Sequence, residues 1–146
     1  MATHEPIEIL LAEDNSADAE LALRALRDSR ISNTVIWVKD GNEALDYVLR
    51  RAAYRDRATG NPRLVLLDLK MPKVDGLEVL RALKSDESTR SIPVVVMTSS
   101  HEERDLVETY RLGVNSYIVK PVDFEQFVAV VASAGYYWSV VNKVPA

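Results

Sequence analysis

Three short runs of apolar residues limit what this chain can fold into more than any other feature of its sequence. They are Ile7–Ala12, Leu64–Leu67 and Val94–Met97, and each is too short for a helix of ordinary length. A strand that is apolar on both of its faces lies in a sheet that is covered on both sides. These runs therefore predict buried strands of a parallel sheet with helices packed on each face.

Helical patterns alternate with these runs along the chain. Two further strands are predicted at Thr34–Val38 and Tyr117–Val119, where β-branched and aromatic residues cluster. Apolar residues at helical spacing predict five helices, at Ser16–Ser29, Asn42–Arg51, Gly76–Asp86, Glu102–Leu112 and Phe124–Asn142. Ser16 and Asp18 are the candidate caps of the first helix. Five strands that alternate with five helices predict a doubly wound α/β fold.

Composition excludes several classes of function. The chain has 146 residues, enough for one domain with its own core, and its net charge of −4 argues against nucleic acid as a partner. It has no cysteine, so it forms neither a disulfide nor a thiolate metal site, which is consistent with a cytoplasmic location. No apolar run is long enough to span a membrane, and the N-terminal residues lack the pattern of a secretory signal.

Polar residues with complementary chemistry follow the predicted strands. Glu13 and Asp14 follow the first strand, Asp68 the third, Thr98 the fourth and Lys120 the fifth. Ligands of an open α/β sheet bind beyond the carboxyl ends of its strands, so we expect these side chains to converge. Each residue alone has an ordinary explanation as a turn residue, a cap or a solvated charge. Their joint occurrence at four strand ends favours a functional site.

The predicted cluster has the parts needed for phosphoryl transfer. Three carboxylates close together repel one another, and a hard divalent cation such as Mg²⁺ or Mn²⁺ offsets that repulsion. Asp68 is the candidate carboxylate nucleophile. The metal and the ammonium of Lys120 are the candidates for stabilising charge on the transferring oxygens.

Four segments resemble motifs of the response regulator receiver domains of two-component signalling. They read LLAEDN at 10–15, LLDLKMP at 66–72, VMTS at 96–99 and YIVKP at 117–121. The resemblance covers about residues 7–141 and implies one receiver domain, residues 1–146, with no output domain. It also implies a flavodoxin-like three-layer sandwich whose five-stranded parallel sheet has the order 2-1-3-4-5.

The resemblance implies a role for each matched residue of the acidic site. Asp68 is expected to accept a phosphoryl group from a phosphohistidine of a sensor histidine kinase. Glu13, Asp14 and Asp68 are expected to hold Mg²⁺ or Mn²⁺, together with the backbone carbonyl of Lys70. Lys120 is expected to pair with Asp68 and then with the phosphoryl group. The implied protein is a signalling module, and its only chemistry is its own phosphorylation and dephosphorylation.

The resemblance also implies a switch that reports the phosphorylated state. Thr98 is expected to swing inward to hydrogen-bond a phosphoryl oxygen, and Tyr117 is expected to turn inward after it. The bond between Lys120 and Pro121 is expected to be cis. Lys70 and Ser100 are expected to set the lifetime of the phosphoryl group by controlling the access of water.

A narrower resemblance is to the stand-alone regulators that partner bacterial and cyanobacterial phytochrome kinases. It is carried by the segment 54–63, by KPVD at 120–123 and by the aromatic residues Tyr136, Tyr137 and Trp138. Three successive residues of a helix span roughly 200° around its axis, so these rings cannot all face one core. We therefore expect them to form a homodimer interface, and the alternative is that the C-terminal residues fold back over the core. Relatives commonly have a Phe-Trp pair where this chain has Tyr137 and Trp138.

Five arginines surround the irregular stretch Ala52–Arg63, which is interpreted as a surface loop. They are Arg50, Arg51, Arg55, Arg57 and Arg63. A run of this kind is usually a solvated face. The functional alternative is a docking surface for an acidic patch of the kinase or of a second copy.

Three other functions share some of these features. A haloacid-dehalogenase-like phosphatase also uses an aspartate at a strand end, but it needs a second aspartate where this chain has Lys70. A nucleotide-binding fold needs a glycine-rich turn after the first strand, and this chain has Glu13, Asp14 and Asn15 there. A phosphorylation-independent interaction module built on the same scaffold would have lost acidic or lysine positions, and none is lost here.

Overall fold

The computed structural model describes residues 7–28, 33–58, 60–98, 111–114, 116–120 and 123–132. The strands are β1 (Ile7–Ala12), β2 (Asn33–Val38), β3 (Leu64–Asp68), β4 (Val94–Thr98) and β5 (Ser116–Val119). The helices are α1 (Ser16–Asp28), α2 (Gly41–Val48), α3 (Gly76–Ser85) and α4 (Phe124–Ala132), with one 3₁₀ turn at Ala52–Tyr54. Within these residues, no helix is long and apolar enough to cross a membrane.

The five strands form one parallel sheet in the order β2-β1-β3-β4-β5, which confirms the predicted fold class. β3 and β4 are buried along their whole length, as their apolar sequences predict. One core cluster joins the sheet to α2 and α3, and a second joins its other face to α1 and α4. Because helices cover both faces of the sheet, polar side chains that follow the strands gather at the edge where the strands end.

Two predicted elements fall partly or wholly outside the described residues. The helix predicted at 102–112 lies there apart from its last two residues, and so does the part of the predicted helix 124–142 that follows Ala132. Ser100, Pro121 and the aromatic residues at 136–138 also lie outside. The cis bond before Pro121, the aromatic dimer surface and the role of Ser100 consequently stay predictions.

The second helix is shorter than predicted, because it ends at Val48 rather than at Arg51. Arg50 adopts a left-handed backbone conformation with φ of 55°, and the N–H of Arg51 donates 2.8 Å to the carbonyl of Asp46. A left-handed residue just past the last turn is a common way to stop a helix. The apolar pattern could not reveal this ending, since Arg50 has no special tendency to stop a helix.

Arg57 is a buried clamp of the loop 52–63 and not part of a solvated face. Its side chain is 8% exposed, its Nε donates 2.9 Å to the carbonyl of Tyr47, and an Nη donates 2.8 Å to the carbonyl of Gly60. The guanidinium lies 4.2 Å from the ring centroid of Tyr47 and 3.8 Å from a carboxylate oxygen of Glu8. By contrast, the side chain of Arg55 is 78% exposed and remains available for docking.

Replacing Arg57 with methionine is expected to lower the free energy of unfolding by about 2 kcal/mol, because it removes hydrogen bonds to two carbonyls and an ion-pair partner of the mostly buried carboxylate of Glu8. Thermal denaturation measures the effect. Arg55→Met is the matched control and is expected to leave the melting temperature unchanged, since that side chain is exposed. Equal melting temperatures for the two variants would contradict the role of Arg57 in holding the loop 52–63.

Candidate phosphoryl-acceptor and metal site

The structure brings the strand-end residues together at the carboxyl edge of the sheet. Glu13 follows β1, Asp68 ends β3, Thr98 ends β4 and Lys120 follows β5. Glu13, Asp68 and Thr98 are buried, whereas Asp14 is exposed. β4 lies between β3 and β5, so Lys120 reaches Asp68 across the end of β4. The long apolar stem of lysine allows this reach while its ammonium meets the acidic groups.

Lys120 is surrounded by three carboxylates. Its Nζ lies 2.6 Å from Oε1 of Glu13, 3.2 Å from Oδ2 of Asp68 and 3.2 Å from Oδ2 of Asp18. The contact with Asp18 has the geometry of a hydrogen bond, and the contact with Glu13 is a short ion pair. Sequence reasoning assigned Asp18 only a capping role, which the structure corrects: the side chain of Asn15 caps α1 by accepting from the N–H of Asp18 at 2.9 Å.

The carboxylates of Glu13, Asp14 and Asp68 fit a divalent cation. Each offers one oxygen, and these oxygens all lie within 4.8 Å of one another. Glu13 and Asp68 are buried and Asp14 is exposed, so the cluster opens to solvent on the side of Asp14. Hard cations such as Mg²⁺ and Mn²⁺ prefer oxygen ligands of this kind. The donor set therefore suits a divalent metal.

Burial and mutual repulsion set the charge state of the site. Burial raises the pKa of Glu13 to about 7, against the opposing effects of Lys120 and of the Asn15 N–H. Burial also raises the pKa of Asp68 above its usual value. Burial alone would lower the pKa of Lys120, but Glu13 and Asp68 beside it raise that pKa overall. The lysine is therefore a permanent cation, while Glu13 titrates near neutral pH.

The affinity for Mg²⁺ is expected to weaken as pH falls through about 7, by up to about tenfold per pH unit, because the metal must displace the proton of Glu13. Calorimetric titration with Mg²⁺ at pH 6, 7, 8 and 9 measures this dependence. Glu13→Gln is the control, since it removes the group that titrates near pH 7 and should give weaker binding that depends less on pH. The same dissociation constant at pH 6 and pH 8 in the wild type would contradict the assignment.

The same pKa shift fixes how metal-free stability depends on pH. A carboxyl whose pKa is raised in the folded state stabilises the fold below its unfolded pKa and loses that contribution as pH rises through the folded pKa. The contribution of Glu13 therefore falls between about pH 4.5 and about pH 7. A bound divalent cation offsets this loss because it favours the ionised form.

Trp37 holds the loop that carries the acidic pair, and sequence reasoning missed it. Its indole Nε1 donates 2.9 Å to the carbonyl of Glu13, and the N–H of Glu13 donates 3.0 Å to the carbonyl of Val38. The N–H of Asn15 then donates 3.0 Å to Oε2 of Glu13. β2 therefore fixes the backbone of Glu13 while the loop fixes its side chain. The sequence signal for this contact is a tryptophan in a strand at the edge of the sheet. The carbonyl that it binds belongs to a residue 24 positions away, so the sequence pattern does not identify it.

Gly76 closes the loop that follows Asp68. Its N–H donates 2.9 Å to the carbonyl of Leu69, and a Cβ at this position would overlap the carbonyl oxygen of Asp68. The N–H of Lys70 donates 3.3 Å to Oδ1 of Asp68, which leaves the other carboxylate oxygen facing Lys120. The predicted contact between a metal and the carbonyl of Lys70 stays a prediction.

Thr98 and Tyr117 occupy neighbouring strands beside the acidic cluster. The carbonyl of Thr98 accepts from the N–H of Lys120 at 2.7 Å, so the two residues are tied through their backbones. Tyr117 is partly buried and packs against the core cluster on the side of α2 and α3. Thr98 is therefore placed next to the site and Tyr117 next to a helix layer, and the movement of both residues stays a prediction.

The fold and the site define the class of the protein. The chain belongs to the response regulator receiver domain family, which matches residues 9–132. Proteins of this class act in phosphorylation-dependent two-component signalling, which confirms the resemblance drawn from the strand-end motifs.

Two relatives show how far the similarity extends. The solved structure of the bacteriophytochrome response regulator RtBRR is 55% identical, with a TM-score of 0.85, over 97% of this chain and 85% of that one. The probable methanogenesis regulatory protein FilR2 of Methanothrix harundinacea is 41% identical over 145 residues, which are 99% of this chain and 92% of the relative. The similarity to phytochrome-associated regulators predicted from the sequence is confirmed.

Two other solved structures bear on the chemistry of the site. The Mn²⁺-bound form of response regulator Rcp1, a protein of Synechocystis, is 36% identical with a TM-score of 0.78, over 97% of this chain and all of that one. The phosphorylated cyanobacterial phytochrome response regulator RcpA is 39% identical with a TM-score of 0.79 over the same shares. A divalent metal and a phosphoryl group thus occur in similar proteins.

Proposed function

We propose that Asp68 accepts a phosphoryl group from a sensor histidine kinase and that the phosphorylated chain passes the signal on by changing its surface. The observation that carries this proposal is the convergence of Lys120 on Asp68 within the carboxylate cluster, with Nζ 3.2 Å from Oδ2. The candidate nucleophile, the ammonium of Lys120 and the candidate metal ligands therefore lie together at the carboxyl edge of the sheet. Phosphoryl transfer requires groups of these kinds close together.

In the proposed reaction, a carboxylate oxygen of Asp68 forms a bond to phosphorus while the bond from phosphorus to a histidine nitrogen of the kinase breaks. The imidazole leaves and takes up a proton from solvent. Lys120 holds an oxygen of the transferring group, and Lys70 positions Asp68 through its backbone N–H. Mg²⁺, held by Glu13, Asp14 and Asp68 and by the carbonyl of Lys70, supplies further neutralisation of the phosphoryl charge when bound.

The switch in this proposal is a two-state change of Thr98 and Tyr117. The hydroxyl of Thr98 binds a phosphoryl oxygen, and Tyr117 follows into the space that is vacated. The proximity of Thr98 to Lys120 and the packing of Tyr117 against the core support this coupling. A cis bond before Pro121 and the control of water access by Lys70 and Ser100 belong to the same proposal.

The proposed partner is a sensor histidine kinase of the bacteriophytochrome type, supported by the similarity to RtBRR. The chain acts as one receiver domain in the cytoplasm without catalysing turnover of another substrate. We also propose a homodimer through Tyr136, Tyr137 and Trp138. Sedimentation at tens of micromolar tests the dimer, with and without a phosphoryl analogue, and a monomer in both conditions would contradict it.

Intact-mass spectrometry after incubation with acetyl phosphate, with and without Mg²⁺, tests the phosphoryl transfer. One phosphoryl adduct that requires Mg²⁺ is expected. Reduction of the acyl phosphate with borohydride followed by peptide mapping should then place homoserine at position 68. An adduct at another residue would contradict the role of Asp68, and a folded protein that takes no phosphoryl group from acetyl phosphate or from a histidine kinase would favour an interaction module that works without phosphorylation.

A further inference from the structure

The most unexpected contact at the site is the one between Lys120 and Asp18. These residues are 102 positions apart, and their side chains meet at 3.2 Å with hydrogen-bond geometry. Lys120 also contacts Glu13 at 2.6 Å and Asp68 at 3.2 Å, and both of those carboxylates belong to the cluster that can share a cation. A hydrogen bond is directional, so the bond from Asp18 helps to fix the position of the ammonium.

Asp18 stands apart from the metal-binding cluster. The carboxylates that can share a cation are those of Glu13, Asp14 and Asp68, and Asp18 is not among them. It lies on the first turn of α1, and its side chain is 33% exposed, compared with 1% for Glu13 and 5% for Asp68. When Glu13 binds a metal and Asp68 carries a phosphoryl group, Asp18 is the carboxylate that still pairs with Lys120.

The position of Asp18 is itself fixed by the acidic loop. The N–H of Asn15 donates to Oε2 of Glu13, and the side-chain oxygen of Asn15 accepts from the N–H of Asp18. A chain of three hydrogen bonds therefore runs from Glu13 through Asn15 and Asp18 to Lys120. The metal ligand and the lysine are thus held at a set distance by a cap of α1, independently of their own ion pair.

We propose that Asp18 is a positioning residue that holds the ammonium of Lys120 over the phosphoryl acceptor during transfer. The inference rests on the proposed roles of Asp68 and Lys120. Asp18 does not touch the reacting atoms; it acts by keeping Nζ where an oxygen of the incoming group arrives. Misplacement of a single charge-stabilising donor is enough to slow a transfer reaction strongly.

Two variants at position 18 separate positioning from simple charge. Asp18→Ala removes the acceptor, so the maximal rate of phosphorylation by acetyl phosphate at saturating Mg²⁺ is expected to fall about tenfold. Asp18→Asn keeps an oxygen that can accept from Nζ, so it is expected to stay within about threefold of the wild type. The concentration of acetyl phosphate at half-maximal rate should change less than twofold in both, because neither variant removes a group that binds it.

If Asp18 acted only through its negative charge, the variants would show a different pattern of rates. Loss of one partly exposed negative charge would affect Asp18→Ala and Asp18→Asn equally, would weaken Mg²⁺ binding and would raise the rate at most a few fold. Glu20→Gln is the matched control, because it removes a carboxylate from the same helix whose partner is the exposed Arg24. It is expected to match the wild type in rate and in melting temperature.

The rates are read beside melting temperatures and Mg²⁺ dissociation constants for every variant. A tenfold loss in Asp18→Ala with recovery in Asp18→Asn supports the positioning role. Equal rates for Asp18→Ala and wild type, or equal losses in the two variants, would overturn it while leaving the role of Asp68 intact. A wild-type protein that forms no adduct at Asp68 would instead overturn the proposed function and this inference with it.

Discussion

Asp68→Asn is expected to abolish the phosphoryl adduct and, in the metal-free protein at pH 8, to raise the free energy of unfolding. The adduct is lost because an amide is not a nucleophile towards phosphorus. Stability rises because burial raises the pKa of Asp68, so its charge is less stable in the folded protein than in the unfolded chain. Lys120 keeps Glu13 and Asp18 as partners in the variant.

The sign of this effect is tested by changing the pH. A carboxyl with a raised folded pKa stabilises the fold below its unfolded pKa and loses that contribution as pH rises. The advantage of asparagine should therefore be larger at pH 8 than at pH 5. Intact mass measures the adduct, and calorimetry without metal at both pH values measures stability. A lower melting temperature for Asp68→Asn at pH 8 would mean that the pairing with Lys120 outweighs the cost of burial.

Asp75→Asn is the matched control for this variant. Asp75 lies in the same segment, and its carboxylate caps α3 by accepting from the N–H of Glu78 at 2.9 Å. Asparagine caps helices about as well as aspartate, so the variant should keep both the fold and the adduct. Loss of the adduct in Asp75→Asn as well would show that the loop, and not the carboxylate of Asp68, limits the reaction.

Gly41→Ala is expected to lower the free energy of unfolding by about 3 kcal/mol and the melting temperature by roughly 10 °C. A Cβ at Gly41 would overlap the backbone carbonyl of Val74, which belongs to the loop between Asp68 and α3. A backbone carbonyl cannot move aside as the end of a flexible side chain can. The first turn of α2 and that loop would have to separate, although the loop is also tied to α2 by an ion pair of 3.5 Å between Lys73 and Asp40.

Gly60→Ala provides the comparison, since a Cβ at Gly60 would have no atom within 4 Å. It is expected to be neutral or slightly stabilising, because alanine reduces the freedom of the unfolded chain. Thermal denaturation of both variants separates the destabilisation caused by the overlap from the general effect of replacing glycine with alanine. Similar melting temperatures for the two would refute the close approach of the loop to α2. Rates of phosphorylation for Gly41→Ala, measured below its transition, would then report how the loop positions Asp68.

Much of the fold and most of the site could be predicted because both depend on rules that act over short distances in sequence. A buried parallel strand shows itself by its own apolar residues, and the carboxyl ends of such strands meet at one edge. Glu13, Asp68, Thr98 and Lys120 were therefore found without knowing how far apart they lie in the fold. The order of the strands came from the family resemblance, since alternation alone does not determine it.

The features that were missed depend on partners remote in sequence. Asp18 reads locally as a helix cap, and its bond to Lys120 cannot be seen in a pattern of neighbours. Arg57 reads as part of a charged run, yet the carbonyls of Tyr47 and Gly60 and the ring of Tyr47 make its burial favourable. Charge and periodicity predict which side chains prefer solvent exposure. They do not predict which charged side chains can be buried because the fold supplies enough polar partners for them.

The reach of Lys120 across the end of β4 has a consequence for how the chain is made. A ribosome synthesises Glu13 and Asp68 well before Lys120, so an emerging chain carries the acidic residues before it carries the ammonium that contacts both of them. Until then, a cation from the surrounding solution is what can offset their repulsion. The arrival of Lys120, which follows β5, therefore completes the electrostatic balance of the site.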